Sequence, residues 1–327
     1  MLKYVYVLVS DETDYYLEQA LMSITSLKAQ SAGAFVSLLI DETTETTLKN
    51  KRKNILGLVD ELKTIEIDSR FNKKARSRWL KTTMRRHIDG NFLYIDSDTI
   101  ISEDLSGIED LDVNLGAILD SHVLLQDSLW KKSIQKNDKI LNFNSSFKTD
   151  KYFNGGIILC KDDPVCHNFF NEWHNLWLHC FERGILIDQP SFNQTNHLMD
   201  NVIIELDGKW NCQILANGAV RYLHDAKIIH YFAIYTPEDK PYLLANKEIF
   251  ERIRKSVSID PELKEMLMNS KNSFMSNTRL VAGKFGDSKI YSAATRIFFS
   301  KLGASIELMF LFVHRFIFEP LQKILPK

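Results

Sequence analysis

One stretch, residues 92–101, constrains this chain more than any other. It reads Phe-Leu-Tyr-Ile-Asp-Ser-Asp-Thr-Ile-Ile, so two acids stand one residue apart between two short apolar runs. A short apolar run of this kind predicts a buried strand, and Asp96 and Asp98 therefore follow directly after a strand. In open α/β sheets, ligands bind at the carboxyl ends of the strands. We therefore expect a ligand near these two acids.

The spacing of the two acids carries its own argument. Residues i and i+2 of an extended chain point to the same side, so the two carboxylates repel each other and cost free energy when they leave water together. A divalent cation removes that cost, and Mg²⁺ and Mn²⁺ prefer carboxylate oxygens and often share their shell with substrate phosphates. The pair predicts a metal–diphosphate site. Solvated turns and helix caps explain most such pairs, and that alternative stays open here.

Composition sets the outer bounds. The 327 residues allow one large domain with appendages. A hydrophobic content of 45%, a charged content of 25% and a net charge of −1 are ordinary for a soluble protein and argue against nucleic-acid binding. Four scattered cysteines without a Cys-x-x-Cys motif fit a reducing compartment such as the cytoplasm. The apolar start of the chain is expected to be a first strand and not a signal peptide.

The first seventy residues predict a parallel sheet. Strands are expected at 4–9, 35–40 and 64–67, with helices at 17–27 and 46–62 between them. This β-α-β-α-β order favours an α/β fold with a mostly parallel central sheet flanked by helices. The loop at 9–14 would then lie at the same sheet edge as Asp96, where it can receive a nucleotide base or ribose.

Several later features are ambiguous when taken singly. A basic helix is expected at 73–88. Exposure to solvent explains most of its charges, and the alternative is that Arg76 or Arg78, at its start, reaches a ligand. The sequence Asn-Gly-Gly at 154–156 enters an apolar strand, which indicates a bulge, a close backbone approach to a ligand or a plain tight turn. Asp188 follows an apolar run and precedes Gln-Pro, so it is either a site residue or a helix cap. His230 lies in an apolar strand, where most histidines are core residues.

The carboxyl-terminal part differs from the rest. Residues 246–270 predict helices that break near 259–261. Residues 289–327 are rich in Phe, Ile and Leu. They include six basic residues and two acids, for a net charge of +4. The longest uncharged stretch near the end of this segment, residues 308–313, is too short to span a bilayer. We predict a basic amphipathic segment on the membrane surface, with packing on the core or on a partner chain as the alternative.

Five motifs, taken in order, resemble glycosyltransferase family 8. This family comprises retaining nucleotide-sugar transferases of the GT-A fold, including glycogenin and bacterial lipooligosaccharide galactosyltransferases, and the resemblance covers about residues 3–235. The motifs are Leu-Tyr-Ile-Asp-Ser-Asp at 93–98, Tyr-Phe-Asn-Gly-Gly at 152–156, Asp-Gln-Pro-Ser-Phe-Asn at 188–193, Lys-Trp-Asn at 209–211 and Ile-Ile-His-Tyr at 228–231.

The resemblance implies a metal-dependent donor site. It makes Asp96, Asp98 and His230 the ligands of Mn²⁺ or Mg²⁺, which would hold the diphosphate of a UDP-sugar. The remaining donor-binding residues implied are Val9, Asp11 and Asp14 by the uracil and ribose, Arg78 and Ser97 along the donor, Asn154 and Gly155 near the sugar, Asp188 on the sugar hydroxyls and Gln189 near the anomeric carbon.

The implied reaction is retaining transfer of a hexose, from UDP-glucose or UDP-galactose to a glycan or lipid-linked acceptor at the inner face of the membrane. Front-face attack is the favoured mechanism, with the departing phosphate as base, and Asp188 as a nucleophile is the less favoured one. The family's Gly-x-x-Lys-Pro after the histidine is altered, because Ala233 holds the glycine position and the lysine comes late, as Lys240. Either a longer loop brings Lys240 to the diphosphate or this contact is missing.

Two alternatives remain at the level of sequence. A sugar nucleotidyltransferase would share the fold, but the acidic loop at 10–14 has none of the glycines that a triphosphate loop needs. A non-catalytic membrane-surface scaffold would keep a degenerate site. We expect a GT-A catalytic domain at 1–245, a helical extension at 246–288 and a basic amphipathic membrane-surface tail at 289–327.

Overall fold

The computed structural model describes residues 2–214, 220–232 and 243–274, with a few single positions nearer the carboxyl terminus. Ala233 and Lys240 lie outside the described residues, and so does nearly all of the predicted membrane-surface tail at 289–327. The predictions made for them are therefore still expectations.

The centre of the molecule is a seven-stranded sheet in the order β3-β2-β1-β4-β7-β6-β8. Its strands are β1 (Lys3–Leu8), β2 (Phe35–Asp41), β3 (Glu61–Ile65), β4 (Phe92–Ile95), β6 (Leu115–Leu119), β7 (Phe153–Cys160) and β8 (Ile204–Glu205). All pairings are parallel except those of β7, which runs antiparallel to both β4 and β6. The predicted α/β fold with a mostly parallel sheet is confirmed.

A second, three-stranded sheet sits beside the first. It contains β5 (Thr99–Ile101), β9 (Cys212–Gln213) and β10 (Ile228–His230). Strand β10 pairs antiparallel with β5, and its register sets His230 opposite Thr99. Because Asp98 immediately precedes Thr99, this pairing carries a residue from late in the chain to the acids that follow β4.

Helices cover both faces of the central sheet. They are α1 (Tyr16–Gln30), α2 (Glu42–Thr47), α3 (Lys73–Thr83), α4 (Lys131–Leu141), α5 (Ser145–Lys148), α6 (Pro164–Glu182), α7 (Gln189–Leu198), α8 (Val220–Leu223), α9 (Lys247–Ser256), α10 (Pro261–Met268) and α11 (Ser270–Phe274). One face packs on the apolar stripe of α1, including Leu17, Leu21 and Ile24. The other face packs on α3 and α6 through Leu80 and Trp173.

One local prediction is corrected. The helix expected at 46–62 is a short α2 followed by a 3-10 turn (Asn50–Leu58), and β3 begins at Glu61 instead of 64. The Thr-rich segment is a weak helix former. In the 3-10 turn that follows it, Ile55 is the one buried residue. Residues 185–187, an apolar run, form an irregular connection between α6 and α7, where Leu186 accepts a hydrogen bond from Trp177 Nε1 at 3.4 Å.

The carboxyl-terminal helices share the core of α1. Ile253 of α9 and Leu263 of α10 are fully buried in the same apolar cluster as Leu21. The predicted break lies where Val257 adopts a positive φ of 45° and Asp260 caps α10 by accepting from Leu263 N at 3.0 Å. Within the part of the chain that the structure describes, no helix is long and apolar enough to cross a membrane.

Candidate active site

The backbone around the two acids is pinned from several directions. Asp96 N donates to the carbonyl of Gly156 at 2.8 Å, which joins the end of β4 to β7. The carbonyl of Asp98 accepts from Tyr231 N at 3.1 Å, which joins it to β10. The two side chains are 25% and 22% exposed, so their carboxylates stay reachable from solvent. The site is therefore rigid in its backbone and open at its surface.

His230 completes a set of three ligands. Its Nε2 lies 3.2 Å from Asp98 Oδ1, and its Nδ1 lies 3.0 Å from Asn211 Oδ1. Because an amide oxygen only accepts, Nδ1 donates to Asn211, and Nε2 is the ring nitrogen that faces Asp98. One ligand atom from each of Asp96, Asp98 and His230 lies within 4.8 Å of the others. Two carboxylates and a neutral imidazole fit Mn²⁺ or Mg²⁺.

The glycines at 155 and 156 have different surroundings. A Cβ on Gly156 would lie 2.5 Å from His230 Cε1, so only glycine leaves room for the imidazole. A Cβ on Gly155 would meet nothing closer than Lys81 Nζ at 3.6 Å and Asp188 Oδ2 at 3.7 Å. The pairing between β6 and β7 shifts register at these glycines, which confirms the predicted bulge.

Side-chain amides connect His230 to Asp120, the acid that follows strand β6. Asn211 Nδ2 donates to Asn154 Oδ1 at 3.1 Å, and Asn154 Nδ2 donates to Asp120 Oδ1 at 3.3 Å. Burial raises the pKa of Asp120 above that of an ordinary aspartate, although hydrogen bonds from Gln189, Asn154 and Ser121 oppose the shift. Sequence reasoning missed Asp120. It follows strand β6 as Asp96 follows β4, and that shared position was the signal that could have identified it.

Asp188 stands at the start of α7 without capping it. Its side chain makes no cap hydrogen bond with the described helix, so the capping alternative is wrong. Instead its Oδ1 lies 2.9 Å from Arg78 Nε, and its Oδ2 lies 3.1 Å from Lys81 Nζ. Burial alone would raise the pKa of Asp188, but the charges of Lys81 and Arg78 outweigh it and the pKa is lowered. The carboxylate, 7% exposed, is held ionised.

Lys81 is the second residue that sequence reasoning missed. It is 4% exposed, and its ammonium lies 3.4 Å from Asp96 Oδ1 as well as 3.1 Å from Asp188 Oδ2. The same ammonium sits 5.1 Å from the ring centre of Tyr94, whose hydroxyl donates to Asp96. Lys81 follows Arg78 by three residues, the spacing that puts two side chains on one helix face. It links the metal-ligand set to Asp188.

Gln189 and Gly155 lie in the same area. The side chain of Gln189 hydrogen-bonds Asp120, and its carbonyl accepts from Asn193 Nδ2 at 3.0 Å. The space above Gly155 is bordered by Lys81 and Asp188. The structure thus brings together the residues expected around the sugar.

The loop after β1 forms the other end of the site. Asp11 and Asp14 both pair with Lys73, at 2.5 and 2.9 Å from its Nζ. Hydrogen bonds from Lys73 and Thr13 hold the pKa of Asp11 well below its usual range. Val9 is buried in the core, so that only its backbone can face a ligand.

Two further residues connect this loop with the acids after β4. Ser97 Oγ reaches the carbonyl of Val7 at 3.5 Å, near the end of β1. Tyr16, at the start of α1, donates from its backbone N to Asp14 Oδ1 at 3.1 Å. Burial raises the pKa of its hydroxyl, the charges of Asp14 and Asp98 add to the shift, and those of Arg78 and Lys73 oppose it.

Other candidates have structural roles. Arg76 pairs with Asp41 and donates to the carbonyl of Phe71 at 3.0 Å, which leaves Arg78 as the arginine of α3 that reaches the site. The histidines of α6 bond to neighbouring groups, as expected for packing residues: His167 to Asp162, His174 to Thr82 and His179 to the carbonyl of Leu141.

Comparison with known proteins identifies the family. The model of glycosyl transferase family 8 matches residues 8–243, which is more than half of the chain. The chain belongs to glycosyltransferase family 8. It is accordingly a glycosyltransferase, and its mixed α/β sheet is that of the GT-A fold. A comparison with curated protein sequences finds no match.

Solved structures similar to this glycosyltransferase are distant in sequence. Mouse xyloside xylosyltransferase 1 in its apo form is 13% identical, with a TM-score of 0.48, over 72% of this chain and 99% of that one. The galactosyltransferase LgtC, solved with donor and acceptor sugar analogues, is 15% identical, with a TM-score of 0.48, over 83% and 100%. GlyE of Streptococcus pneumoniae TIGR4 is 17% identical, with a TM-score of 0.44, over 83% and 63%.

Proposed function

We propose that this family 8 enzyme transfers glucose or galactose from a UDP-sugar to a glycan or lipid-linked acceptor, with retention and with a divalent cation. The observation that carries the proposal is the set Asp96, Asp98 and His230, whose ligand atoms lie within 4.8 Å of one another. The hydrogen bond from His230 to Asn211 supports it further, because metal-binding histidines ordinarily donate their other ring N–H in this way.

The three ligands would hold Mn²⁺ or Mg²⁺ against the donor diphosphate. When bound, the ion supplies Lewis-acid and electrostatic stabilisation of the charge that builds on the departing UDP. Tyr94 and Lys81 fix the Asp96 carboxylate from the protein side. We place the uracil and ribose by the loop of Val9, Asp11 and Asp14, with Ser97 beside the diphosphate. Lys240, outside the described residues, remains a proposed contact to the phosphates.

We assign the sugar to the space above Gly155, where Asn154 and Asp188 would bind its hydroxyls and Arg78 would touch the donor. The ion pairs of Asp188 support a binding role over a nucleophilic one. A carboxylate that shares its charge with two cations at 2.9 and 3.1 Å is a weakened nucleophile. Gln189 would then lie at the anomeric carbon as a dipole, and attack would come from the acceptor on the leaving-group face.

We propose that the acceptor is bound to the membrane, because the tail at 289–327 is suited to binding a membrane surface. The basic and aromatic composition of residues 289–327, with a net charge of +4, suits adsorption to anionic lipid from the cytoplasmic side. Flotation of the full chain with phosphatidylglycerol vesicles, beside a variant that ends at residue 285, tests this part. Equal binding by both proteins would refute it.

The donor site is tested by titrating UDP into the protein with Mn²⁺, and again with excess chelator. We expect binding that requires the metal, that is lost in His230→Ala and that survives in His167→Ala, an exposed histidine paired with Asp162. Metal-independent binding, or equal loss in both variants, would contradict the site. Release of sugar from UDP-glucose and UDP-galactose then identifies the donor, and pyrophosphate release from a nucleoside triphosphate would instead indicate the nucleotidyltransferase.

A further inference from the structure

Helix α9 lies beyond the family-matched region, which ends at residue 243, yet it contacts the loop after β1. Arg254 donates from Nη2 to the carbonyl of Asp14 and from Nε to Glu18 Oε1 at 2.9 Å. Its guanidinium also lies 4.1 Å from the ring centre of Tyr15. The hydroxyl of Tyr15 donates to Glu251, one turn earlier on the same helix.

The electrostatics of this contact make it more than a surface ion pair. The side chain of Glu18 is 1% exposed, so its charge requires a partner within the protein. Arg254 supplies that partner and uses a second N–H on the Asp14 carbonyl. One guanidinium therefore binds the buried face of α1 and the last turn of the loop at once, which a planar, multidentate side chain does well.

The loop has other contacts besides Arg254. Its first residue, Ser10, donates from its backbone N to Thr44 Oγ1 at 3.0 Å and accepts from Arg52 Nη2 at 3.1 Å. Asp14 accepts from Ser10 Oγ at 2.8 Å and from Asp11 N at 3.1 Å, and Lys73 pairs with Asp11 and Asp14. Lys73 comes from α3 and acts on the carboxylates, whereas Arg254 comes from α9 and acts on the main chain. At Asp14 the loop is therefore held by two cations, one on its carboxylate and one on its carbonyl.

We propose that α9 is a working part of the donor site, and that Arg254 is a positioning residue that pre-organises the loop at 10–16 for the nucleotide. This inference rests on the proposed function, because it takes that loop as the uridine site. A loop that is already ordered costs less to order on binding. Loss of the clamp should therefore weaken nucleotide binding and leave the transfer step intact.

A matched pair of variants on one helix tests the proposal. Arg254→Met removes the charge and keeps most of the apolar stem. Arg252→Met is the control, since the partners of Arg252 among the described residues lie across the α9–α10 turn: Asp260 at 2.7 Å and Glu262 at 2.7 Å. We expect the Kd of UDP with Mn²⁺ and the KM of the UDP-sugar to rise roughly tenfold in Arg254→Met with kcat kept. Both should stay unchanged in Arg252→Met.

Hydrogen exchange supplies a readout that does not depend on ligand. The amides of Asp11, Thr13 and Tyr16 are bonded to loop carboxylates, and they should exchange faster in Arg254→Met than in Arg252→Met. If Arg254→Met does not fold because Glu18 is left unpaired, the double variant Arg254→Met with Glu18→Gln removes that charge. The same tenfold weakening is expected there.

The outcomes separate the two proposals. If the wild-type protein binds UDP and the Kd is the same in Arg254→Met or in the double variant, the proposed role of α9 is overturned. The proposed function then still stands. A fall in kcat with an unchanged KM would also overturn it. A wild-type protein that binds no UDP with either metal would overturn the donor assignment itself, and this inference with it.

Discussion

Replacement of Gly156 by alanine gives the sharpest single test of the metal site. The new Cβ would lie 2.5 Å from His230 Cε1 and 2.8 Å from His230 Nδ1, whereas ordinary contacts begin near 3.4 Å. Relief therefore needs a movement of about 0.9 Å, the difference between the observed and the ordinary contact distance. The strand at Gly156 resists that movement, because its carbonyl accepts from Asp96 N at 2.8 Å. The imidazole has to move.

The displacement has a calculable cost. His230 Nδ1 lies 3.0 Å from Asn211 Oδ1, and a movement of about 0.9 Å is large enough to break this hydrogen bond. Loss of such a supporting bond typically lowers metal affinity by about 10- to 100-fold. Overpacking a filled site costs about 1–3 kcal/mol of unfolding free energy. We therefore expect metal-dependent UDP binding to weaken about 10- to 100-fold, with the Tm lowered by a few degrees.

Gly155→Ala is the matched control. Its Cβ would meet Lys81 Nζ at 3.6 Å and Asp188 Oδ2 at 3.7 Å, both ordinary contacts. Metal affinity should stay within about twofold of wild type, a change of less than 0.5 kcal/mol. Calorimetric titration of Mn²⁺ and UDP, with thermal denaturation of each variant, measures both quantities. Wild-type metal affinity in Gly156→Ala would refute the reasoning, and so would an equal loss in both variants.

Three further predictions concern the charged groups of the site. Asp120→Asn should keep or raise the Tm at pH 8 while it lowers sugar transfer. Because the pKa of Asp120 is raised in the folded protein, ionisation of its carboxylate lowers the free energy of unfolding as the pH rises through that pKa. The stability advantage of the variant should therefore disappear below about pH 4, where the aspartic acid is protonated in both the folded and the unfolded state. Asp188→Asn should behave in the opposite way. The lowered pKa of Asp188 gives stability above its unfolded pKa of about 3.9, so denaturant unfolding should show a loss at pH 7 that fades as pH falls through the folded value. Lys81→Met should cost about 3 kcal/mol of unfolding free energy and reduce kcat more than UDP affinity, whereas an exposed control, Lys151→Met, should change neither.

The predictions that succeeded rest on local signals. The apolar run before Asp96 and the helical stripe of α1 each need only a short window of sequence, and both elements form where expected. The break before α10 is signalled by Asp260 and Pro261, which start a helix by capping and by a fixed φ. Residues 185–187 show the limit of such signals, because this short apolar run forms no strand: it is a connection between α6 and α7 in which Ile187 is exposed.

Residues of the site that depend on strand pairing were harder to predict. His230 reaches Asp98 only because β10 pairs antiparallel with β5 in one register, and no window of sequence contains both strands. The family motifs supplied that partner in advance. Asp120 lies outside those motifs, so its place beside Asn154 emerges only from the pairing of β6 with β7.

The same geometry explains why the two halves of the site should act together. On one side, amides connect His230 through Asn211 and Asn154 to Asp120. On the other, Lys81 connects Asp96 to Asp188. Each connection includes a residue expected at the metal and one expected at the sugar: His230 and Asn154 in the first, Asp96 and Asp188 in the second. Because both connections are made of polar contacts that are largely shielded from water, we expect a change at one end to affect the other. Substitutions within one connection should therefore be non-additive, and a loss of metal affinity should be accompanied by a loss of sugar positioning.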